Sequence, residues 1–273
     1  MADFGEYLPT DVVLANQRPA MLEHNAWPGY WAKVNKDAIQ ESGKSDEILF
    51  FMRAGSQQSL ASCQMMWAGD QNVDWSEDDG LPSVITSALS LAMSGMGLHH
   101  SDIGGYTTLY GMKRSKELLI RWAEQAAFTA LMRTHEGNRP KDNWQFDSDQ
   151  ETIAAIKRMT DIHVYLKPYL MHLVAQNAQQ GRPVIRPLFL HYEQERFFGV
   201  KDSYLLGRDL LVAPVLEEGS NSVVVTLPDD VWVHLFTKVE YQGGTHCIDA
   251  PLLCPAVFYR KESDFASLFA SLQ

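Results

Sequence analysis

The sequence lacks the features that mark membrane and secreted proteins. It contains no run of about twenty apolar residues, the length that an α-helix needs to cross a bilayer. It begins without the basic-then-apolar segment of a secretory signal peptide. Cysteine is scarce, and Cys63, Cys247 and Cys254 make an odd number at spacings that match no metal-binding motif. The sequence therefore predicts no membrane span, no disulfide framework and a cytoplasmic location.

Basic residues are also few relative to acidic ones. The 273-residue chain has 23 Lys and Arg against 34 Asp and Glu, which gives a formal net charge of −11. Because proteins that bind nucleic acids cluster Lys and Arg to neutralise phosphates, this balance argues against a nucleic-acid partner. At 45% hydrophobic residues the chain can bury the core of one or two domains.

Apolar runs alternate with helical patterns over the first two-thirds of the chain. Four runs have the continuous apolar character of strands that are buried on both faces: 47–55, 65–70, 97–105 and 183–190. Three segments have helical spacing or end signals: 81–95, with Pro82 in its first turn; 115–135; and 149–181, with Asp149 as N-cap, a kink at Pro168 and a stop at Gly181. This alternation predicts βα units that form a parallel sheet or barrel.

The pattern changes after about residue 192. Segments 204–215, 221–228 and 231–237 are short and rich in strand-forming residues, and Gly, Pro and Asp turns separate them. They predict a small antiparallel sandwich that follows the α/β region.

Polar side chains follow three of the predicted parallel strands: Arg53, Asp70 and Asp102. In a (β/α)8 barrel the carboxyl ends of the strands form the active-site face. Asp3 would join the same ring if DFGE were the end of another strand. Two carboxylates at one barrel mouth indicate glycoside hydrolysis, in which one attacks or activates water and the other donates a proton. A single Asp at a strand end is more often a helix cap or turn former, so spacing alone leaves both interpretations open.

Two metal-binding interpretations of these residues are weak. The run 70–81 places Asp70, Asn72, Asp74 and Asp78 at positions of a calcium loop, but Trp75 replaces the turn glycine and Leu81 replaces the bidentate glutamate. Adjacent histidines at 99 and 100 would point to opposite faces of a strand and could not easily serve one ion. No metal site is predicted.

Eight motifs occur in an order that resembles glycoside hydrolase family 31, and they cover nearly the whole chain. They are DFGEYLPTD (3–11), EHNAWPGYWAK (23–33), FFMRAGSQQ (50–58), WAGDQNVDWSEDDGL (67–81), SDIGGY (101–106), MRTHEGNRP (132–140), RPVIRPLFL (182–190) and YLLGRDLLVAPVLEEG (204–219). The first and fourth are most similar to the sulfoquinovosidases of that family, which release sulfoquinovose from its α-glycosides. The resemblance implies an α/β fold, with the C-terminal part of the catalytic (β/α)8 TIM barrel at 1–192 and a C-terminal β-sandwich domain at 193–273.

The resemblance also assigns roles to individual residues. It implies that Asp3 is the catalytic nucleophile and Asp70 the general acid/base of a retaining, double-displacement mechanism. Arg53, Trp67 and His135 match residues that line the sugar subsite. Tyr106 stands where α-glucosidases of the family usually carry Phe, and in sulfoquinovosidases a Tyr there helps to bind the sulfonate. This mechanism requires no cofactor and no metal.

Family members are much longer, and the resemblance implies that their N-terminal β-sandwich and first barrel strands are absent here. Since part of a barrel leaves strand edges unpaired, we expect the isolated chain to be inactive. Three interpretations stay open: a retaining α-glycosidase that acts on sulfoquinovosides, such as sulfoquinovosyl diacylglycerol or sulfoquinovosyl glycerol; an α-glucosidase or α-xylosidase of the same family; and a non-catalytic sugar-binding fragment. Assembly of the full-length form into a homo-oligomer also stays open.

Overall fold

A computed structural model describes residues 1–109, 111–135 and 137–272. The helices of this part of the chain are α1 (Ala20–Glu23), α2 (Trp27–Glu41), α3 (Leu81–Met93), α4 (Lys116–Ala126), α5 (Gln150–Tyr165), α6 (Lys167–Gln180) and α7 (Ala266–Ala270). The strands are β1 (Phe51–Met52), β2 (Met65–Trp67), β3 (His99–His100), β4 (Ile185–Arg186), β5 (Tyr204–Leu206), β6 (Leu210–Ala213), β7 (Ser222–His234), β8 (Glu240–Asp249) and β9 (Ala256–Arg260).

A parallel sheet in the order β1–β2–β3 carries the polar residues predicted at strand ends. Its register pairs Phe51 with Met65 and Met66 with His99. All three strands run in the same direction, so Arg53, Asp70 and Asp102 follow them on one edge of the sheet. The strands predicted at 47–55, 65–70 and 97–105 are each confirmed over part of their length, at residues 51–52, 65–67 and 99–100.

The helix predicted over 115–135 is wrong beyond Ala126, where α4 ends. The following residues turn back to the sheet: Asp102 and Arg133 form a parallel bridge, and the Ile103 amide donates to the Arg133 carbonyl at 3.0 Å. The sequence is consistent with this early end of the helix. Leu131 lies five residues after Ala126, whereas residues on one helix face are three or four apart, so Leu131 would not continue the apolar face of α4. The parallel sheet thus continues past β3 into the segment that carries His135.

The helical segment predicted over 149–181 is confirmed as two helices that meet at Leu166. The Asp149 carboxylate accepts a hydrogen bond from the Thr152 amide at 2.7 Å and caps α5. Pro168 stands in the first turn of α6, where its missing N–H costs no helical hydrogen bond. Gly181 ends α6 with φ = +67°, a conformation that glycine adopts without a steric penalty.

The C-terminal region contains the predicted antiparallel structure, a six-stranded sheet in the order β4–β5–β6–β9–β7–β8. The expectation that 183–190 is another parallel strand is wrong, because only β4 forms there and it pairs antiparallel with β5. Pro187 has no N–H to extend the ladder, and residues 188–190 form a 3-10 turn. The boundary expected at 192/193 falls between β4 and β5 of this sheet and stays a prediction.

Backbone hydrogen bonds and the side chain of Arg121 connect the parallel region and its helices to the antiparallel sheet. The Val184 amide donates to the Gly97 carbonyl at 3.0 Å, and the Val184 carbonyl accepts from the Gly207 amide at 2.8 Å. Arg121 and Glu124 on α4 form a buried ion pair at 3.0 Å. Arg121 also donates to the carbonyls of Ser220 and Ala250, both at 2.9 Å, so α4 packs directly on the antiparallel sheet.

Candidate active site

The guanidinium of Arg53 is the centre of a cluster of carboxylates beyond the ends of β1 and β2. Its Nη1 lies 2.8 Å from Oδ2 of Asp70, while its Nε lies 3.2 Å from Oδ1 of Asp3 and 2.9 Å from Oε1 of Glu6. The Arg53 side chain is 14% exposed, whereas Asp3 and Asp70 are 30% and 36% exposed. One largely buried cation thus holds two carboxylates that solvent and a ligand can reach.

The charges around Arg53 stabilise its cationic form. Burial acts to lower the pKa of Arg53, but Glu6, Asp3 and Asp70 together raise it above its usual value. Nη2 also contacts the Tyr7 hydroxyl at 3.3 Å. The cluster therefore combines a permanent positive charge with three acidic side chains.

A strained turn positions Asp3. The Ala2 amide donates to the Phe51 carbonyl at 2.9 Å, which aligns the segment with β1. Phe4 has φ = +67°, which is rare for an aromatic residue, and Gly5 follows with φ = +98°. The turn brings the Phe4 ring centroid to 5.3 Å from the Arg53 guanidinium carbon, a cation–π distance. Strain of this kind persists where surrounding contacts determine the conformation, and it is often found at functional sites.

Further hydrogen bonds fix the positions of both aspartates. The Trp31 indole donates to the Asp3 carbonyl at 3.0 Å, and the Phe4 amide donates to the Asp3 carboxylate at 2.7 Å. The Thr107 hydroxyl donates to the Asp70 carbonyl at 2.7 Å. Asp3 and Asp70 are therefore held by different segments, and both carboxylates face Arg53.

Trp67, which was predicted to line the sugar subsite, is the last residue of β2. It is only 1% exposed, and its ring centroid lies 5.9 Å from the Arg53 guanidinium carbon. The indole nitrogen is buried and has no hydrogen-bond partner within residues 1–109, 111–135 and 137–272. The structure brings this aromatic ring into the Arg53 cluster, as a wall beneath the guanidinium.

Tyr106 and His135, the other two predicted site residues, form a stacked pair. Their ring centroids are 5.0 Å apart, and the planes differ by 14°. The Tyr106 amide donates to the Gln71 carbonyl at 2.8 Å, which connects this pair to the loop of Asp70. The two aromatic residues come from different loops, after β3 and after Arg133, and form one half-buried surface.

Asp102 lies beneath this surface and is completely buried. It forms an ion pair with Arg133, a residue that the sequence analysis did not single out. Burial raises the pKa of Asp102 to about 6, although Arg133 acts in the opposite direction. Burial and the Arg133 charge lower the pKa of His100 to about 3, so this histidine is neutral at neutral pH. Arg133 was missed because it stands in the segment that was assigned to a helix.

The loop 70–81 is closed by its own hydrogen bonds. The Asp74 carboxylate accepts from the amide and the hydroxyl of Ser76 at 3.0 and 2.7 Å, and the Asn72 amide donates to the Asp79 carbonyl at 2.8 Å.

Within the described ranges, no group of three or more His, Cys, Asp or Glu side chains is arranged to hold a metal ion. Among these residues, no helix has the length and apolar character that crossing a membrane requires.

Comparison with protein families gives two matches that divide the chain. Residues 3–173 match the "Glycosyl hydrolases family 31 TIM-barrel domain", and residues 181–263 match the "Glycosyl hydrolase family 31 C-terminal domain".

Individual relatives extend the similarity over the whole chain. It is 62% identical to a sulfoquinovosidase of Escherichia coli (strain K12) and 52% identical to a sulfoquinovosidase of Agrobacterium fabrum, and each match covers 100% of this chain. A solved family 31 sulfoquinovosidase from E. rectale, in complex with the aza-sugar inhibitor IFGSQ, superposes with a TM-score of 0.97 at 50% identity over 99% of this chain. The chain spans 40%, 42% and 41% of the length of these three proteins.

Proposed function

The chain belongs to glycoside hydrolase family 31, and on this premise we propose that it carries the reaction centre of a retaining α-glycosidase that releases sulfoquinovose from α-sulfoquinovosides. One observation carries the proposal: the Arg53 guanidinium contacts both Asp3 and Asp70, the two carboxylates that the mechanism needs. Retaining glycosidases place their two carboxyl groups about 5–5.5 Å apart, and two carboxylates that share one guanidinium are consistent with such a separation.

In the proposed mechanism Asp3 attacks the anomeric carbon while Asp70 protonates the departing glycosidic oxygen. The resulting covalent glycosyl–enzyme is hydrolysed by a water molecule from which Asp70 removes a proton. The strained turn at Phe4 fixes the nucleophile before substrate binds, which lowers the entropic cost of attack. Arg53 positions the Asp3 carboxylate and donates to hydroxyl groups of the glycone.

Asp70 must be protonated when it acts as the acid, and in the ligand-free site it contacts Arg53 at 2.8 Å. We propose that the bound glycoside separates these two groups. The glycone hydroxyls then accept from the guanidinium, and Asp70 turns to the glycosidic oxygen. Its partial exposure and its position beyond the end of β2 leave room for that movement.

The proposed substrate class rests on the surface formed by Tyr106 and His135. The Tyr106 hydroxyl would bind the sulfonate through water, and His135 would donate to a sugar hydroxyl. The identities of 62% and 52% to proteins named sulfoquinovosidase support this substrate over an α-glucoside. Since the chain spans 40% of the E. coli relative, we propose that it is inactive by itself and acts as part of a longer protein.

We also propose a cytoplasmic location and a small-molecule glycoside as the binding partner. All three cysteines are free, and Cys63 is buried. Free thiols of this kind are usual in a reducing compartment.

The proposal is tested by joining the chain to the N-terminal part of the E. coli relative and measuring hydrolysis of 4-nitrophenyl α-sulfoquinovoside beside the α-glucoside. We expect the joined protein to prefer the sulfoquinovoside and the chain alone to be inactive. Asp3→Asn should abolish turnover, whereas Asp37→Asn, an exposed change on α2, should leave it unaltered. Full activity of the Asp3→Asn protein would overturn the assignment of the nucleophile. A preference for the glucoside would overturn the substrate class and leave the two aspartates in place.

The role of Asp70 can be separated from that of Asp3 by the leaving group. 4-Nitrophenolate departs with little protonation, but the alkoxide of a glycerol aglycone does not. Asp70→Asn should therefore reduce glycosyl–enzyme formation much more with sulfoquinovosyl glycerol, by about a hundredfold or more, than with the nitrophenyl substrate. Equal losses for both substrates would contradict the acid/base assignment.

A further inference from the structure

A polar cavity shares no lining residue with the Arg53 cluster. It has a volume of about 580 Å³ and lies between α6, β4 and the ends of the antiparallel strands. Its wall includes Arg186 of β4 and the residues that follow β4, Leu190 and His191, whereas the Arg53 cluster lies beyond the ends of β1 and β2. The cavity is therefore separate from the proposed reaction centre.

Arg186 is the most unusual residue of this cavity, because it is a buried cation without a carboxylate partner. The residue is 1% exposed. Its nitrogens contact only neutral acceptors: the Pro183 carbonyl at 2.7 Å, Gln176 Oε1 at 2.7 Å and His191 Nε2 at 3.1 Å. Burial lowers the pKa of Arg186, and the charge of Asp209 acts in the opposite direction without forming an ion pair with it. Burial of a charge is costly unless an opposite charge compensates it, and no ion pair is found for Arg186 within the described ranges.

His191 adds no negative charge to this environment. Burial and the surrounding arginines, Arg186 foremost, lower its pKa to about 4, so it is neutral at pH 7 and its Nε2 accepts from Arg186. Arg182 and Arg208 also line the cavity, and both are exposed. Neither has a side-chain hydrogen bond or an ion pair to any other described residue. Three guanidinium groups thus line the cavity without a bound acidic side chain.

Three acidic residues line the same cavity. Asp209 is paired with Arg260 at 3.1 Å, and the same Arg260 contacts Asp230 at 2.7 Å. Glu262 and Asp264 are exposed on the rim. A bound molecule would therefore meet both guanidinium donors and carboxylate acceptors in this cavity. This combination fits a ligand that has one anionic group and several hydroxyl groups.

We propose that this cavity is a binding site for a phosphorylated sugar or polyol. Its phosphate oxygens accept hydrogen bonds from Arg182 and Arg208 and compensate the buried charge of Arg186, since planar guanidinium groups bind phosphate in a forked geometry. Its hydroxyls donate to Glu262 and Asp264. The volume of about 580 Å³ lies within the range of small-molecule sites.

The test is a calorimetric titration of the whole chain at constant ionic strength with inorganic phosphate, glucose 6-phosphate, glucose and chloride. We expect saturable binding of both phosphates, with glucose 6-phosphate the tighter, and no heat from glucose or chloride. Absence of saturable phosphate binding would overturn the site. Equal affinity for phosphate and glucose 6-phosphate would overturn the part of the proposal that concerns the hydroxyl groups.

Variants at the exposed arginines locate the site without disturbing the core. Arg182→Gln and Arg208→Gln should each weaken phosphate binding about tenfold, the loss expected from one charge-assisted hydrogen bond. Arg196→Gln is the matched control, because it removes one positive charge from an exposed arginine that is paired with Asp229 outside the cavity. Equal affinities for all three variants would show that phosphate binds elsewhere and would overturn the proposal.

Discussion

The buried ion pair between Arg121 and Glu124 offers a sharp test of how α4 is attached to the antiparallel sheet. Their side chains are 0% and 2% exposed. Arg121 also donates to two carbonyls of the sheet region, and Glu124 accepts from the Leu253 amide at 2.5 Å. Replacement of Arg121 by Leu leaves the Glu124 carboxylate buried without its ion-pair partner, with the charge of Arg158 still acting on it. We expect the free energy of unfolding to fall by about 3–5 kcal/mol, the usual cost of removing one partner of a buried pair.

The pH dependence of this loss follows from the same geometry. Burial raises the pKa of Glu124, and the Arg121 charge opposes that rise. Without Arg121 the folded-state pKa rises further, so the folded protein takes up a proton more readily than the unfolded chain. The destabilisation of Arg121→Leu is then largest at neutral pH, and it shrinks as the pH falls through the folded-state pKa toward the unfolded value near 4.5.

The assay is urea unfolding of the wild type, Arg121→Leu, Glu124→Leu and the double variant, at pH 7 and pH 5. We expect the double variant to be more stable than either single variant, because it buries no unpaired charge. Lys33→Leu, which breaks an exposed pair with Asp37, should stay within about 0.5 kcal/mol of the wild type. A loss below about 1 kcal/mol for Arg121→Leu, or a double variant no better than the singles, would refute the reasoning.

Three further predictions concern the site and its support. Tyr106→Phe in the joined protein should reduce hydrolysis of the sulfoquinovoside and leave the α-glucoside rate nearly unchanged; equal effects on both kcat/KM values would contradict the proposed sulfonate contact. Asp149→Ala should lower the free energy of unfolding by about 1 kcal/mol through loss of the α5 cap, with Asp46→Ala in a loop as the neutral comparison, and unchanged urea midpoints would disprove it. The pKa of Asp102 in the folded protein is raised to about 6, so the folded protein binds a proton more readily than the unfolded chain and its free energy of unfolding rises as the pH falls through 6. The wild type should therefore gain stability relative to Asp102→Asn between pH 7 and pH 5. A constant difference in the free energy of unfolding would argue against a titrating carboxyl.

The sequence predicted the parts of the site that depend on local order along the chain. Arg53 and Asp70 follow short apolar runs, and such runs form parallel strands whose ends meet at one edge. Asp149 and Gly181 are helix-end signals that act through their nearest neighbours, and both lie where they were expected. In each case the residues adjacent in sequence were sufficient to predict the local structure.

The secondary-structure predictions that were wrong concern segments whose conformation depends on tertiary contacts. Segment 127–135 follows α4 and contains apolar residues, but it turns back to the sheet, where Arg133 pairs with Asp102. The local sequence indicates this end of the helix only through Leu131, which does not continue the apolar face of α4. Segment 183–190 resembles a buried parallel strand, yet its partner is β5, which runs in the opposite direction. Arg133 could not be identified as the partner of Asp102 until that pairing was known.

The two hydrogen bonds of Val184 have a consequence for the dynamics of the chain. Its amide donates to Gly97 in the parallel region, and its carbonyl accepts from Gly207 in the antiparallel region. The buried residue Val184 is therefore hydrogen-bonded to both regions at once. A local opening that displaces Val184 breaks hydrogen bonds to both. Slow amide hydrogen exchange at Val184 and Gly207 should therefore report a single cooperative unit that spans both regions, and these protons should exchange only when the whole chain unfolds.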